Sequence, residues 1–266
     1  MGLFDWLRGL TGSKPDADRA PPAPLPDSML VRSQQRRDAF WADVGALERD
    51  VLGHVISPGL RGGPRWPATR QAYRIARRAG GTVLLATDGM SDPFDDDGAG
   101  RAVNGFECEL FLETGDLAPD QLGAPGNIEP LKHSWAFELL TNIAATIAEA
   151  EGARAAFDAY GVLSIEVPGV SRSHAIKDAV PARFVTSDDA IGVLVGGPAP
   201  DFPERIDDMP LSPVRLLPVV LLTAAELAEI RAGDEETRTA IADRLAQSIS
   251  RHRCDFVRAS IVEAAD

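Results

Sequence analysis

The chain has 266 residues, 44% of them hydrophobic, and a formal net charge of −13. This length and composition suit one large globular domain or two small ones. The acidic excess argues against binding to nucleic acid or to an anionic lipid surface, because both require Lys and Arg to neutralise phosphates. A membrane span is also excluded, since the most apolar stretch, residues 214–225, is shorter than the roughly 18 apolar residues required and contains Arg215 and Pro218.

The two cysteines, Cys108 and Cys254, are too few for a disulfide framework, and no Cys-x-x-Cys pair is present. The first residues also lack the apolar core and cleavage site of a secretory signal. We therefore predict a cytoplasmic location.

Two N-terminal segments differ in composition from the rest of the chain. Residues 1–10 contain several large apolar side chains and predict a short amphipathic segment that docks on the domain, on a partner or on a membrane surface. Residues 11–27 hold five prolines and few large apolar residues, which is typical of a flexible linker. Residues 28–266 are predicted to form the folded domain.

The first predicted helix begins near Ser33 and ends near Ser57, because apolar residues recur at spacings of three and four. The residues that carry this spacing are Phe40, Val44, Leu47, Val51 and Val55. The following stretch, residues 60–67, is a loop rich in Gly and Pro, in which Trp66 is expected to pack on the core.

Residues 82–86 (TVLLA) predict a buried strand, and residues 106–114 (FECELFLET) predict a second one. In the second strand, Glu107, Glu109 and Glu113 alternate with apolar residues, which is the period-two pattern of a sheet with one face in water. We therefore expect an antiparallel sheet whose glutamate face is exposed.

Apolar residues at a strict spacing of four predict a helix over residues 131–150, which should cover the dry face of the sheet. Further strands are predicted at residues 161–167, 182–186, 191–195 and 214–222. Pro218 lies within the last of these and has no N–H to donate to a neighbouring strand, so it requires a bulge or an edge position.

The C-terminal part is predicted to be helical. Thr223 and Glu226 have the spacing of a capping box, and Gly233 separates the helix that they begin from a second one. The second helix, over residues 235–250, has an apolar face formed by Ile241, Leu245 and Ile249. Strands and helices follow one another without regular βαβ alternation, so the predicted fold class is α+β, with a mostly antiparallel or mixed sheet covered by helices.

Motifs for catalysis and nucleotide binding are absent from the sequence. Neither the nucleophile elbow Gly-x-Ser-x-Gly nor a phosphate-binding glycine loop occurs. The histidines are far apart, and none has zinc-type spacing with a cysteine. We therefore expect a protein that is not an enzyme and that holds no cofactor or metal.

The strongest local charge feature is an acidic string formed by Asp88, Asp92, Asp95, Asp96 and Asp97. Carboxylate oxygens suit a hard cation such as Ca²⁺. The calcium-loop template nevertheless fails, because a loop starting at Asp95 has Ala99 at the fifth position and Phe106 at the twelfth, where acids are required. The string therefore forms either a solvated loop or, together with Glu107 and Glu109, a surface that contacts a basic protein.

The order of features from Arg70 onward resembles the suppressor-of-fused domain family. Its most specific part is residues 87–94 (TDGMSDPF), leading into residues 105–110 (GFECEL). Supporting features are Tyr73-Arg74 ahead of Gly80-Gly81, the helix at Trp135, and the strand, turn and helix over residues 216–230. The similarity covers most of residues 35–250.

This resemblance implies a mixed α+β domain without catalytic residues. Eukaryotic members of the family bind and restrain a transcription factor, and bacterial members resemble immunity proteins found beside polymorphic toxins. The sequence lacks the further C-terminal region of the animal proteins, which favours the bacterial, immunity-like role.

The leading functional hypothesis is therefore a protein-binding domain that sequesters a partner, such as a basic toxin, through the acidic string with Glu107 and Glu109. One alternative is a hydrolase-like or metal-dependent enzyme whose site combines Asp88, Asp92 and Glu107 with His133. Another is a scaffold tethered through residues 1–10.

Overall fold

The computed structural model describes residues 27–53, 58–67, 71–93, 102–150 and 152–262. The predicted amphipathic segment, residues 1–10, lies outside the described residues. So does the predicted linker, residues 11–27, apart from Asp27, which begins the first helix.

Within these residues the chain folds into seven α-helices and nine strands, an α+β arrangement as predicted. The helices are α1 (Asp27–Val44), α2 (Pro119–Leu122), α3 (Trp135–Glu149), α4 (Ala153–Tyr160), α5 (Ile176–Ala179), α6 (Ala224–Ala232) and α7 (Glu235–Gln247). The strands are β1 (Ala46–Leu47), β2 (Leu52–Gly53), β3 (Ala72–Arg77), β4 (Val83–Asp88), β5 (Cys108–Thr114), β6 (Val162–Pro168), β7 (Ala190–Gly196), β8 (Arg205–Ile206) and β9 (Val214–Leu221). No helix in the described ranges is long and apolar enough to cross a membrane.

All nine strands belong to one sheet, in the order β1-β3-β4-β5-β9-β7-β6, with β2 beside β3 and β8 beside β9. Neighbouring strands are antiparallel, except that β5 and β9 run parallel. The sheet is therefore mixed and mostly antiparallel, as predicted. The parallel pair brings β9 from near the C-terminus against β5, so β5 lies in the middle of the sheet.

One face of the sheet packs on α3. Leu85, Leu110 and Val193 on the sheet share a hydrophobic core with Leu139 and Ile143 of the helix, and all five are fully buried. The strict spacing of four in α3 produces this apolar stripe. The prediction of a helix that covers the dry face is therefore confirmed.

The opposite face of the sheet is covered as well. Near β4 and β5, Trp41 of α1 packs with Phe111 and Phe202, whose rings stack at a centroid distance of 4.1 Å. Farther along, α6 and α7 cover β7 and β9. The prediction of a glutamate face in water was therefore wrong, since Glu109 and Glu113 of β5 are only 0% and 4% exposed.

Helix α1 ends at Val44, whereas the apolar spacing predicted a helix to Ser57. Gly45 accounts for the end, because a Cβ atom at this position would lie 2.8 Å from the carbonyl oxygen of Arg77. A residue without a side chain lets the chain approach β3 this closely. Beyond the glycine the chain pairs with β3, so that Leu47 lies in a strand rather than in a helix.

Two other predictions were wrong in detail. The predicted strand over residues 182–186 is a 3₁₀ turn, Ala182–Phe184, which follows Pro181. Helix α7 ends at Gln247, and Ile249, which was predicted to lie on its apolar face, is 93% exposed. The other predicted strands, the burial of Trp66 and the capping box of α6 are confirmed.

Pro218 lies in β9 between the residues that pair with β8 and the residues that pair with β7. The N–H of Arg215 donates toward β5 and that of Leu216 donates toward the chain entering β8. Because alternate residues of a strand point their N–H groups to opposite sides, position 218 faces the side shared by β8 and β7. Pairing with β8 involves Arg215, and pairing with β7 begins at Val219. The proline thus occupies the gap between two neighbours, which is why a central strand tolerates it.

Candidate functional site

The first two acids of the acidic string, Asp88 and Asp92, form ion pairs with a buried arginine. Arg37 of α1 is 1% exposed and lies beneath the start of the β4–β5 connection. Its Nε donates to Asp88 Oδ1 at 2.9 Å, and its Nη2 donates to Asp92 Oδ1 at 2.5 Å. Glu109 of β5 approaches the same guanidinium, with Oε1 3.7 Å from Nε. We refer to Arg37, Asp88, Asp92 and Glu109 as the Arg37 cluster.

Helix α1 positions this arginine through its buried stripe. Ser33, Arg37 and Trp41 are the buried residues of the helix, at a spacing of four. Arg37 Nη1 donates to Ser33 Oγ at 2.8 Å, which aligns the guanidinium along the helix. Trp41 anchors the same stripe in the aromatic core. The recurrence of Ser, Arg and Trp every four residues is the sequence signal that could have identified the cluster.

Glu109 is the most deeply buried acid of the cluster. Its Oε1 accepts the backbone N–H groups of Gly89 and Ser91 at 3.1 and 3.0 Å. Burial raises the pKa of Glu109 to about 7, although the charge of Arg37 and the hydroxyls of Ser91 and Thr87 act in the opposite direction. Glu109 therefore titrates near neutral pH in the folded protein.

The variant Glu109→Gln tests this titration. In the unfolded chain the pKa of a glutamate is about 4.5, so folded Glu109 holds its proton over a higher pH range, up to about 7. The stability that this proton contributes is present at pH 4.5 and is lost as the pH rises to about 7. Relative to the parent, the free energy of unfolding of Glu109→Gln should rise by about 1–3 kcal/mol between pH 5 and 8, measured by urea unfolding. A difference that stays constant with pH would show that Glu109 is ionised throughout.

Both ends of the β4–β5 connection are held close together. Asp92 N donates to Gly89 O at 3.2 Å, which closes a turn at the start. At the far end, Phe106 N donates to Met90 O at 2.8 Å. Gly105 has a φ of +53°, and a Cβ atom there would lie 2.3 Å from Met90 O, so only glycine fits. The acidic connection therefore leaves and rejoins the sheet at one fixed point.

Glu107 lies beside this point in a chain of ion pairs. It adopts a φ of +54°, and its Oε2 lies 2.6 Å from Arg154 Nε. Asp158 contacts Arg154 at 3.8 Å and Arg215 at 3.0 Å. These side chains are partly exposed, in contrast to the Arg37 cluster, and Glu107 is 12% exposed.

The seven residues predicted to contact a partner divide into three groups. Those in the Arg37 cluster are at most 2% exposed, and they are Asp88, Asp92 and Glu109. Side chains buried to this degree offer no contact surface in this conformation. Glu107 is partly exposed. The remaining acids lie outside the described residues, and they are Asp95, Asp96 and Asp97.

His133 lies at a different place in the fold. It lines a cavity of about 470 Å³ together with Asp116, Trp135, His174 and Asp178. None of the acids that the enzyme alternative combined with His133 lines this cavity. Among the described residues, no three His, Cys, Asp or Glu side chains are placed to hold a metal ion. The residues of the enzyme alternative therefore do not form one site there.

Comparison with known proteins identifies the type of fold. No known family profile matches the sequence, and no curated protein is significantly similar to it. The structure is similar to the crystal structure of Drosophila Suppressor of Fused, with a TM-score of 0.53 and 14% sequence identity, covering 87% of this chain and 51% of that chain. A structure of the Sufu-Fu complex has a TM-score of 0.49 and 13% identity, covering 87% of this chain and 91% of that chain.

The similarity to the Drosophila structure agrees with the mixed-sheet α+β arrangement described above. The fold is of the suppressor-of-fused type, as the sequence resemblance implied. The chain spans about half the length of the Drosophila protein that it matches.

Proposed function

We propose that the chain is a non-enzymatic protein-binding domain that sequesters a partner protein, as immunity proteins do in bacterial toxin systems. The observation that carries this proposal is the suppressor-of-fused type of fold, together with the sequence motif at residues 87–94. The family resemblance implies binding rather than catalysis for this fold.

The proposed contact surface is the acidic connection between β4 and β5. Its acids at positions 95, 96 and 97 and the partly exposed Glu107 would meet the partner. The Arg37 cluster would act from beneath, by fixing the point at which the connection leaves the sheet. A fixed base reduces the ordering entropy that a binding loop loses on association, which favours tighter binding.

The proposed partner is a basic protein, such as a basic toxin. The net charge of −13 supports this choice, because an acidic surface attracts a basic one and speeds their association. A complex formed in this way should weaken as salt screens the opposing charges.

The triple variant Asp95→Asn, Asp96→Asn, Asp97→Asn tests the surface. We expect it to slow association with the partner by about tenfold or more at low salt while leaving thermal stability unchanged, because charge steering acts mainly on the association rate. The partner is to be isolated by co-expression with the product of the neighbouring gene or by pull-down from the host. Association is then measured by surface plasmon resonance at two salt concentrations.

A matched control removes three exposed acids elsewhere, Asp43→Asn, Glu204→Gln and Asp243→Asn. Both triple variants change the net charge equally, so only a local contact distinguishes them. Equal association rates for the two variants would contradict the proposed surface. The absence of any stable partner at low salt would contradict the proposed function itself.

We also propose that the protein resides in the cytoplasm. Cys108 and Cys254 are both buried free thiols, which is compatible with a reducing compartment. Burial raises the pKa of each thiol to about 12, so neither is poised for redox chemistry.

A further inference from the structure

Three arginines meet at one cavity of this otherwise acidic protein. The cavity has a volume of about 390 Å³. Its ionisable lining consists of Arg78, Arg251, Arg253, Glu113, Asp201 and His252. Three guanidinium groups against two carboxylates leave the lining positive, whereas the whole chain carries a net charge of −13. The sign of the lining is therefore opposite to that of the chain's net charge.

The arginines retain donors for a ligand. Arg78 Nε lies 3.3 Å from Glu113 Oε1, and Arg251 pairs with Asp201. The hydrogen bonds of Arg253 within the described residues go to two backbone carbonyls, at 3.3 and 3.1 Å. A guanidinium has five N–H donors in a planar fork that matches a carboxylate or a phosphate. Arg78 also donates its Nη1 to Val44 O at 3.4 Å, and each guanidinium has N–H groups beyond those that make these contacts.

His252 adds a buried polar group at the cavity wall. The residue is 6% exposed, and its Nε2 lies 3.2 Å from Glu113 Oε2. The other ring nitrogen, Nδ1, is buried and has no hydrogen-bond partner among the described residues. Because Nδ1 is closed off from solvent, His252 contributes to the cavity wall through its contact with Glu113, which holds that carboxylate in place.

Glu113 keeps its negative charge near neutral pH. Burial acts to raise its pKa, but hydrogen bonds from His252 and Thr82 and the charge of Arg78 together hold the pKa below its ordinary value. The carboxylate therefore serves to orient Arg78 and His252. Arg251 pairs with Asp201, so the excess positive charge of the lining resides on Arg253, which also acts on Asp255 outside the cavity.

An exposed apolar side chain adjoins the arginines. Ile249 is 93% exposed and lines the same cavity. A free inorganic anion has no apolar part that could cover this side chain. A peptide with alternating acidic and apolar residues has both parts, since its carboxylates match the guanidinium groups and its apolar side chains can cover Ile249.

We propose that this cavity binds an acidic peptide segment of a protein partner, in which carboxylates alternate with apolar side chains. The choice of a peptide over a free anion rests on the proposed protein-binding function as well as on Ile249. The cavity is distinct from the acidic connection, and the two surfaces select groups of opposite charge.

The test titrates the purified full chain with a short capped peptide of alternating Glu and Leu, by isothermal titration calorimetry at low salt. Arg253→Gln should weaken binding by about tenfold or more, because it removes a charge-assisted hydrogen bond. Ile249→Ser should weaken it by about threefold, because apolar contact is lost. Both side chains are outside the hydrophobic core, so the variants should fold, and circular dichroism verifies this.

The matched control is Arg244→Gln, which removes an equal charge from an exposed pair with Glu229 on α6 and α7. It should leave peptide affinity unchanged. Equal weakening by Arg253→Gln and Arg244→Gln would overturn the site. In a second titration, inorganic phosphate replaces the peptide. The peptide assignment would be overturned if phosphate bound as tightly as the peptide and Ile249→Ser did not change its affinity. Because no natural partner is used, failure here is distinguishable from failure of the proposed function.

Discussion

Replacing Arg37 with Met is expected to lower the free energy of unfolding by about 3–5 kcal/mol, the cost of removing one partner from a buried ion pair. The guanidinium is shared by Asp88, Asp92 and Glu109, all of which are almost completely buried. Without it, these carboxyl groups must lose charge or draw in water. Domains of this kind are stable by only about 5–15 kcal/mol, so the loss is a large fraction of the total.

The adjacent arginine provides the matched control. Arg36 also pairs with an aspartate, Asp208, but the two side chains are 42% and 64% exposed. Exposed ion pairs contribute about 0–1 kcal/mol, so Arg36→Met should have little effect. Guanidinium chloride unfolding at pH 7 measures both variants. A loss for Arg37→Met of only about 0–1 kcal/mol, the size expected for Arg36→Met, would show that the Arg37 cluster does not stabilise the fold.

Comparing Arg37→Met with the triple variant also distinguishes effects on stability from effects on partner binding. If the cluster fixes the base of the acidic connection, Arg37→Met should weaken partner binding as well as the fold, whereas the triple variant at positions 95, 96 and 97 should weaken binding alone. Hydrogen exchange of the amides of Gly89 and Ser91, which donate to Glu109, would report directly on loosening of this base.

The alternation of glutamates in β5 shows what a sequence pattern determines and what it leaves open. Period two correctly separated the face carrying Leu110 from the face carrying Glu109. The alternation could not show that α1 covers the polar face. Glutamates that face arginines from a distant helix give the same sequence pattern as glutamates that face water. Each glutamate of this strand region meets a basic side chain instead, namely Arg154, Arg37, Arg78 and His252.

Helix α1 shows a second limit of predicting burial from the spacing of apolar residues. Apolar spacing identified Phe40 and Val44, but the fully buried stripe is Ser33, Arg37 and Trp41, two of which are polar. Hydrophobic periodicity assigns polar residues to water, so it overlooked a helix face buried through ion pairs. Strand β3 was not predicted for a related reason, since Arg74 and Arg77 interrupt its apolar residues.

Local signals were more reliable where one interaction dominates. Thr223 and Glu226 form the capping box that their spacing predicted, and the Leu and Ile residues of α3 face the sheet as predicted. The arginine cavity could not be predicted, because Arg78 follows β3 whereas Arg251 and Arg253 follow α7. Residues this far apart in sequence are brought together only by the complete sheet topology.

A second large loss of stability is expected for Arg258→Met, again about 3–5 kcal/mol at pH 7. Arg258 makes a two-pronged ion pair with Glu226, with both N···O distances 2.6 Å, and it also donates to Leu221 O at 2.8 Å. Glu226 is fully buried at the start of α6, where it also accepts the N–H groups of Thr223 and Ile261. The pair thus joins the last described segment to β9 and α6. The exposed pair of Arg244 and Glu229 provides the control, and Arg244→Met should cost about 0–1 kcal/mol.

The pH dependence of this loss distinguishes a lost ion pair from lost packing. Burial acts to raise the pKa of Glu226, but the hydrogen bonds and charge of Arg258, with the N–H groups of Ile261 and Thr223, hold it below the ordinary value of 4.5. The stability that this carboxylate contributes is therefore present above pH 4.5 and is lost as the pH falls through the lower folded-state pKa. In Arg258→Met the carboxyl group lacks its cation, so it should take up a proton more readily. The difference in unfolding free energy between parent and variant should accordingly be largest at pH 7 and shrink below about pH 4.5. A difference that is equal at pH 7 and pH 4 would assign the loss to packing of the arginine side chain instead.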